Sequence, residues 1–275
     1  MSTQHERKTL LIRLYQNQRE KILISSEVLD KIMTRIIDLS VNVHWGMQVF
    51  PRVIPPLIKE VETHREFAHG LGITLEKYGI DEITNHCIIL MGDHVGTHID
   101  SLWHGNPNSN ITADKIPLEY CYSDGVVLDM SFKEPGEYIT PEDLQEEEER
   151  IGYRIKPRDI VLIRTDCATR YWNTPNYLDH HPGLNRDAGL WLWKRGVRVF
   201  GVDAPTVEIP VKYMLERGEL WPVHRLMREI DLYHLENLIN LDKIPRLHGF
   251  KVSVLPIKLV GASASPVRAV AIFEE

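Results

Sequence analysis

Two histidines and two carboxylates are interleaved with small and β-branched residues in the segment GDHVGTHID, Gly92 to Asp100, and His104 follows four positions later. Three of the chain's 13 histidines therefore fall within one short stretch. On an extended backbone, side chains alternate between two faces, so His94, His98 and Asp100 point one way while Val95, Thr97 and Ile99 point the other. A helix would also bring His94 near His98, but Gly96 and its β-branched neighbours disfavour a helix and favour a strand. Gly96 falls on the same face between the two histidines, where a missing side chain leaves room for an ion or a substrate. Two imidazoles and a carboxylate suit zinc or manganese, and three protein ligands leave a position open for water, as catalytic sites do. His104 shares this parity but runs into a loop, which makes it a fourth ligand or a nearby base. The competing reading is a solvated strand face on which polar residues alternate without chemical purpose.

Elements able to position such a cluster are legible elsewhere. The 275 residues, 43% hydrophobic and 26% charged, can bury a sizeable core. Strands are expected at CIILMG, GVVLDMS, DIVLIRTD, VRVFGVD, FKVSVLPIKL and VRAVAIF. Helices are expected at SEVLDKIMTRII, from Ser26 to Ile37, and at RDAGLWLWKRG, which ends on Gly196. A further helix opens with Thr140 and Pro141 and carries the acidic run Glu146–Arg150 as a solvated face. These elements describe one mixed α/β domain, residues 36–275, preceded by a helical appendage over residues 1–35. A terminal helix of that kind docks on a partner subunit, so a homodimer or homotetramer is expected.

Composition excludes several classes. The longest apolar runs fall far below the ~20 residues that span a bilayer, and the N-terminus lacks the apolar stretch of a signal peptide, which makes the cytoplasm the default. A net charge of −7 without a basic block argues against nucleic acid and for a small-molecule partner. Cys87, Cys121 and Cys167 form no disulfide framework or Cys-x-x-Cys site and read as buried small hydrophobes. No Gly-x-Ser-x-Gly, Gly-x-Gly-x-x-Gly or Walker motif occurs, and Cys167 has no recognisable partner, so covalent catalysis and nucleotide cofactors are the poorer readings.

The pattern His-x-Gly-Thr-His-x-Asp with a histidine four residues on resembles the signature of the cyclase-like metal-dependent hydrolases, the family of bacterial kynurenine formamidases and isatin hydrolases. From about Asp38, IDLSVNVHWGMQVFP, DIVLIRTD, HPGL, GVDAPTVE, VHRLM, LENLINLDKIP and VLPIKLVGASASPVRAVAIFEE follow in the family's order. The resemblance implies a barrel-like β core with flanking helices, of the swivelling β/β/α type. It further implies that His94, His98 and Asp100 ligate a first metal, that Asp100 bridges to a second, and that His104 is the catalytic histidine. His224 and Glu236 have the spacing of the second metal's ligands, with His234 a rival. Twelve residues on a straight helix would turn these two side chains apart, so a turn must separate their elements. Two departures stand near the pocket: Leu102 replaces a common proline, and Glu208 stands where aspartate is usual.

One or two divalent ions, zinc or manganese, would supply hydroxide at neutral pH without a protein nucleophile, and His104 would move the proton from nucleophile to leaving nitrogen. The expected activity is cleavage of a C–N amide bond in a small formamide or cyclic amide. The alternatives are a single-manganese ring-opening hydrolase or a lyase or cyclase on a small organic acid, and a non-catalytic metal-binding protein. Trp45, Phe50 and Trp103, beside the key segments, are the candidate contacts for a planar aromatic substrate, with Tyr171 and Trp172 further along.

Overall fold

The computed structural model describes residues 34–274, together with the backbone of Leu10–Leu11 and Leu23–Ile24, which pair antiparallel. Its centre is a nine-stranded mixed sheet. Apart from two-residue strands, one pair of which joins Tyr138–Ile139 to Gly183–Leu184, the strands are β1 (Arg35–Asp38), β2 (Leu57–Glu62), β3 (His86–Leu90), β4 (His98–Asp100), β5 (Tyr122–Asp129) and β6 (Ile160–Arg164), then β7 (Val199–Val202), β8 (Tyr233–Glu236), β9 (His248–Ser253), β10 (Ala264–Pro266) and β11 (Val270–Phe273). The order across the sheet is β10-β4-β8-β7-β6-β5-β9-β11-β1. Strands β5 to β8 run parallel, and the flanking strands pair antiparallel.

The parallel centre is buried on both faces, which is why its strands read as unbroken apolar runs. In β5, Val126 and Leu128 enter one core cluster while Val127 enters the other; in β6, Val161 and Ile163 oppose Ile160 and Leu162. The first cluster packs under helices α2 (Pro141–Arg150) and α3 (Arg186–Lys194) through Leu144, Ala188 and Leu192. The second fills the inside of the curl. An isolated bridge from Ser40 to Leu238 ties the chain after the edge strand β1 back to the chain after β8, giving the barrel-like closure. Strands β2 and β3 form a separate ribbon in which nearly every residue is exposed. A single turn of helix, α1 (Leu102–Gly105), follows β4. Among the described residues no helix is long and apolar enough to cross a membrane.

Several expectations are corrected. Most of the expected helix at Ser26–Ile37 lies outside the described residues, as does most of the 1–35 appendage. Its last residues belong to β1, where Ile36 and Ile37 pair with Ile272 and Ala271. The acidic run is not wholly solvated: Glu147 accepts from Asp129 N and pairs with Arg150, while Glu148 accepts from Ile155 N and pairs with Arg195, and both are buried. Cys121 and Cys167 are buried as expected, but Cys87 is exposed on β3.

Candidate metal centre

Strand β4 is three residues long and held on both sides, by β8 and by β10. Ile99 enters the inner core, so His98 and Asp100 share the opposite face. His94 arrives by another route. Residues 93–97 are turn and bend, Val95 N donates to Gly92 O at 3.3 Å, and Gly96 has a φ of +70°. A left-handed glycine turn, not strand alternation, therefore folds His94 back over His98. The site also crowds Gly96: a Cβ there would meet Val43 Cγ2 at 2.8 Å. The extended reading thus holds for His98 and Asp100 and fails for His94.

His94 Nδ1, His98 Nε2 and Asp100 Oδ1 lie 3.0, 3.1 and 3.4 Å from one another. Donors about 2.0–2.1 Å from one tetrahedral ion sit roughly 3.3 Å apart, so the three atoms have the spacing that zinc requires. The other oxygen, Asp100 Oδ2, lies 3.4 Å from His224 Nε2, which is 3.6 Å from Glu236 Oε1. Glu236 Oε2 turns the other way, 3.5 Å from His98 Nε2. Both carboxylates thus face two donor sets at once. Asp100 is completely buried, yet neither of its oxygens has a hydrogen-bond partner among the described residues, and Glu236 Oε1 has none either. Leaving buried carboxylate oxygens unpaired is costly, and a cation relieves it; the residues present fit a divalent metal. The turn demanded between His224 and Glu236 exists: His224 opens a 3-10 helix, His224–Arg228, and Glu236 closes β8.

The remaining nitrogen of each histidine is already committed, which fixes the tautomers. His98 Nδ1 donates to Gly96 O at 2.8 Å. His94 Nε2 donates to Ser263 Oγ at 3.0 Å, whose own proton goes to Asp93. His224 Nδ1 donates to Glu208 at 2.8 Å. With a cation in place, each histidine would present its other nitrogen, unprotonated, beside Asp100, the arrangement in which an outer acceptor raises ligand basicity. Glu208, read from sequence only as a departure, also accepts from the backbone N–H groups of Val223 and His224 and from the Thr206 hydroxyl. Burial opposes its ionisation, but His224 outweighs burial and brings its pKa down to about 2. Burial likewise opposes protonation of His98, whereas Asp100 and Glu236 carry it up to about 9. Burial and the Asp100 charge push Glu236 up to about 8.

His104 lies on α1 with its ring 4.2 Å from that of His94 and 5.3 Å from that of His224. The enclosing walls and then the neighbouring histidines, against the pull of Asp100, bring it down to about 4, although its ring stays open to the cavity. Gly105 beside it packs on the His224 turn so closely that a Cβ would lie 2.4 Å from His224 O and 2.8 Å from Met227 Sδ. Arg228 Nε donates to Gly105 O and Asn106 Nδ2 to Met227 O across the same seam.

His94, His98, His104, His224 and Glu236 open onto a cavity of about 420 Å³. Phe50 lines it, with Val49, Val53, Tyr177 and Trp221. Trp45 and Trp103 do not. Trp45 sits in a turn and is 70% exposed, and Trp103, one position before His104 on α1, is rotated away and 41% exposed. Tyr171 and Trp172 pack against the core under the helices. Sequence reasoning missed Arg225 and Arg228 at the rim and Tyr177 in the wall; the arginines follow His224 in VHRLMR, where their charge beside a candidate ligand was the available signal.

Known proteins resemble this chain in sequence and fold. The Cyclase family model matches residues 37–209. Kynurenine formamidase of Bacillus cytotoxicus is 27% identical over 218 residues, 78% of this chain and 93% of the relative. Kynurenine formamidase of Bordetella avium is 31% identical over 183 residues, 66% of this chain and 78% of the relative. Among solved structures, isatin hydrolase A from Labrenzia aggregata, bound to benzyl benzoate, superposes with a TM-score of 0.72 at 25% identity, covering 88% of this chain and 94% of that one. Isatin hydrolase A from Ralstonia solanacearum gives 0.71 at 27% identity, covering 88% and 92%. With the family model spanning more than half of the sequence and taking in His94, His98, Asp100 and His104, the chain belongs to the Cyclase family.

Proposed function

We propose that the protein is a metal-dependent amidohydrolase that cleaves the C–N bond of a small aryl formamide or cyclic amide, with two ions sharing Asp100. The observation that carries this reading is the Asp100 carboxylate, buried without a hydrogen-bond partner and flanked by a donor set on each oxygen. The kynurenine formamidases and isatin hydrolases to which the chain is similar support the reaction class. His94, His98 and Asp100 would hold one ion, and Asp100, His224 and Glu236 the other. When bound, a divalent cation supplies Lewis-acid polarisation of a carbonyl and lowers the pKa of water toward neutrality.

The chain's own groups do the remainder. His104 is neutral at pH 7, so it accepts the proton of the attacking water and returns it to the leaving nitrogen. Phe50, Val53 and Tyr177 present apolar walls to a flat ring. Arg225 and Arg228 set two positive charges at the rim, which favours a substrate bearing a carboxylate.

A single-ion ring-opening hydrolase is the second reading, favoured by the isatin hydrolase structures. Elemental analysis of protein purified without chelator separates the two, done on wild type and Glu236→Ala alongside turnover of an aryl formamide. About two ions falling to about one, with slower turnover, supports the shared site. One ion unaffected by Glu236→Ala, with activity preserved, favours ring opening. Metal without hydrolysis of any formamide, lactam or ester leaves a non-catalytic binding protein.

A further inference from the structure

His234 is completely buried, and neither of its ring nitrogens has a hydrogen-bond partner among the described residues. It lies on β8 two positions before Glu236, so the two side chains leave the strand on the same face. Its ring stands 4.7 Å from that of His224, nearly perpendicular to it, with Phe200 of the neighbouring strand at 5.1 Å on another side. A donor atom from each of Asp100, His224 and His234 lies within 4.8 Å of the other two. A histidine that only filled space here would forfeit two hydrogen bonds on burial, whereas leucine would fill it without that cost.

We infer that His234 is a fourth protein ligand of the ion held by Asp100, His224 and Glu236. This inference rests on the metal-dependent reading above and deepens it. Four protein donors fill a tetrahedral zinc site. An ion held by these four residues would be tightly bound and would serve as fixed positive charge against the shared Asp100. The sequence left His234 as a rival ligand for this ion; the structure brings it beside Asp100 and His224.

The experiment is zinc titration in competition with a chromophoric chelator, on wild type, His234→Leu, His98→Ala and the double variant. His98→Ala removes a ligand of the ion held with His94 and Asp100 and isolates the other. In that background His234→Leu should weaken the remaining zinc at least about tenfold, the lower range for losing a group that supports a metal. Replacing the bound ion by cobalt reports ligand loss independently, as a change in its visible absorption between the two proteins. His234→Leu without metal should melt no lower than the metal-free wild type, since it removes two unpaired buried nitrogens. Equal zinc affinity and an unchanged cobalt spectrum in the two backgrounds would overturn the role of His234 while leaving the dinuclear reading intact. One ion in wild type that disappears in His98→Ala would overturn the second site and His234 together. No zinc binding in wild type would overturn the metal reading itself.

Discussion

Glu208→Gln is the most direct probe of how the second donor set is built. The carboxylate receives four donors: Val223 N at 3.1 Å, His224 N at 2.8 Å, His224 Nδ1 at 2.8 Å and the Thr206 hydroxyl at 2.9 Å. The amide keeps one oxygen and turns an NH₂ toward groups that are themselves donors. Hydrogen bonds to a charged acceptor contribute about 1.5–3 kcal/mol and neutral ones about 0.5–1.5, so His224 loses roughly 1–2 kcal/mol of support in its metal-ready tautomer. At about 1.4 kcal/mol per factor of ten, that is about a 5- to 30-fold loss, overlapping the 10- to 100-fold seen when such outer partners of ligating histidines are removed. Chelator competition in the His98→Ala background reads this number, and circular dichroism of the metal-free protein checks that the fold persists. Wild-type affinity in Glu208→Gln would refute the claim that Glu208 sets the His224 tautomer. Glu208→Asp should fall between, because one methylene less prevents the carboxylate from spanning all four donors.

Further outcomes are expected. His104→Ala should keep its metal and lose about 100- to 10,000-fold in rate; metal lost together with rate would recast it as a ligand. Stability of the metal-free protein should decline from pH 7 to pH 9. Glu236 and His98 have folded pKa values raised to about 8 and about 9, so in this window the folded state holds protons that the unfolded chain has released, and urea titrations at the two pH values in chelator test the sign. Arg225→Met should raise KM several-fold, about 1 kcal/mol, for a formamide carrying a carboxylate and leave an uncharged analogue unaffected; equal effects on both would exclude charge recognition.

Sequence resolves local relations and loses the distant ones. His98 and Asp100 are two positions apart on one strand, so alternation is sufficient to put them together. His94 joins them through a left-handed turn that no hydrophobic pattern encodes, although Gly96 marks its place. His224 and Glu236 come from the resemblance alone, because their approach to Asp100 depends on β8 pairing with β4 across a long stretch of chain. Strand β8 escaped because His234 and Glu236 interrupt its apolar run, and those two residues are the ones that face the site. Trp45 and Trp103 show the converse error: nearness in sequence to a key segment says nothing about direction, and one position along a helix turns Trp103 by about 100° from His104. The strand expected over FKVSVLPIKL stops at Ser253, before Pro256, which has no N–H for a ladder.

The seam at Gly105 joins the segment carrying His104 to the turn carrying His224. With no room for a Cβ and with Arg228 and Asn106 bonded across it, these two pieces of chain behave as one mechanical part. Breathing of the rim therefore moves proton carrier and ligand together and preserves the spacing between them. Among the described residues the wall from Val49 to Val53 is not bonded to that seam; it packs instead on Gly92, where a Cβ would meet Val53 Cγ1 at 2.8 Å. Variation in that wall can retune which rings the cavity admits without disturbing the proton path, while a single methyl group at the seam alters both at once.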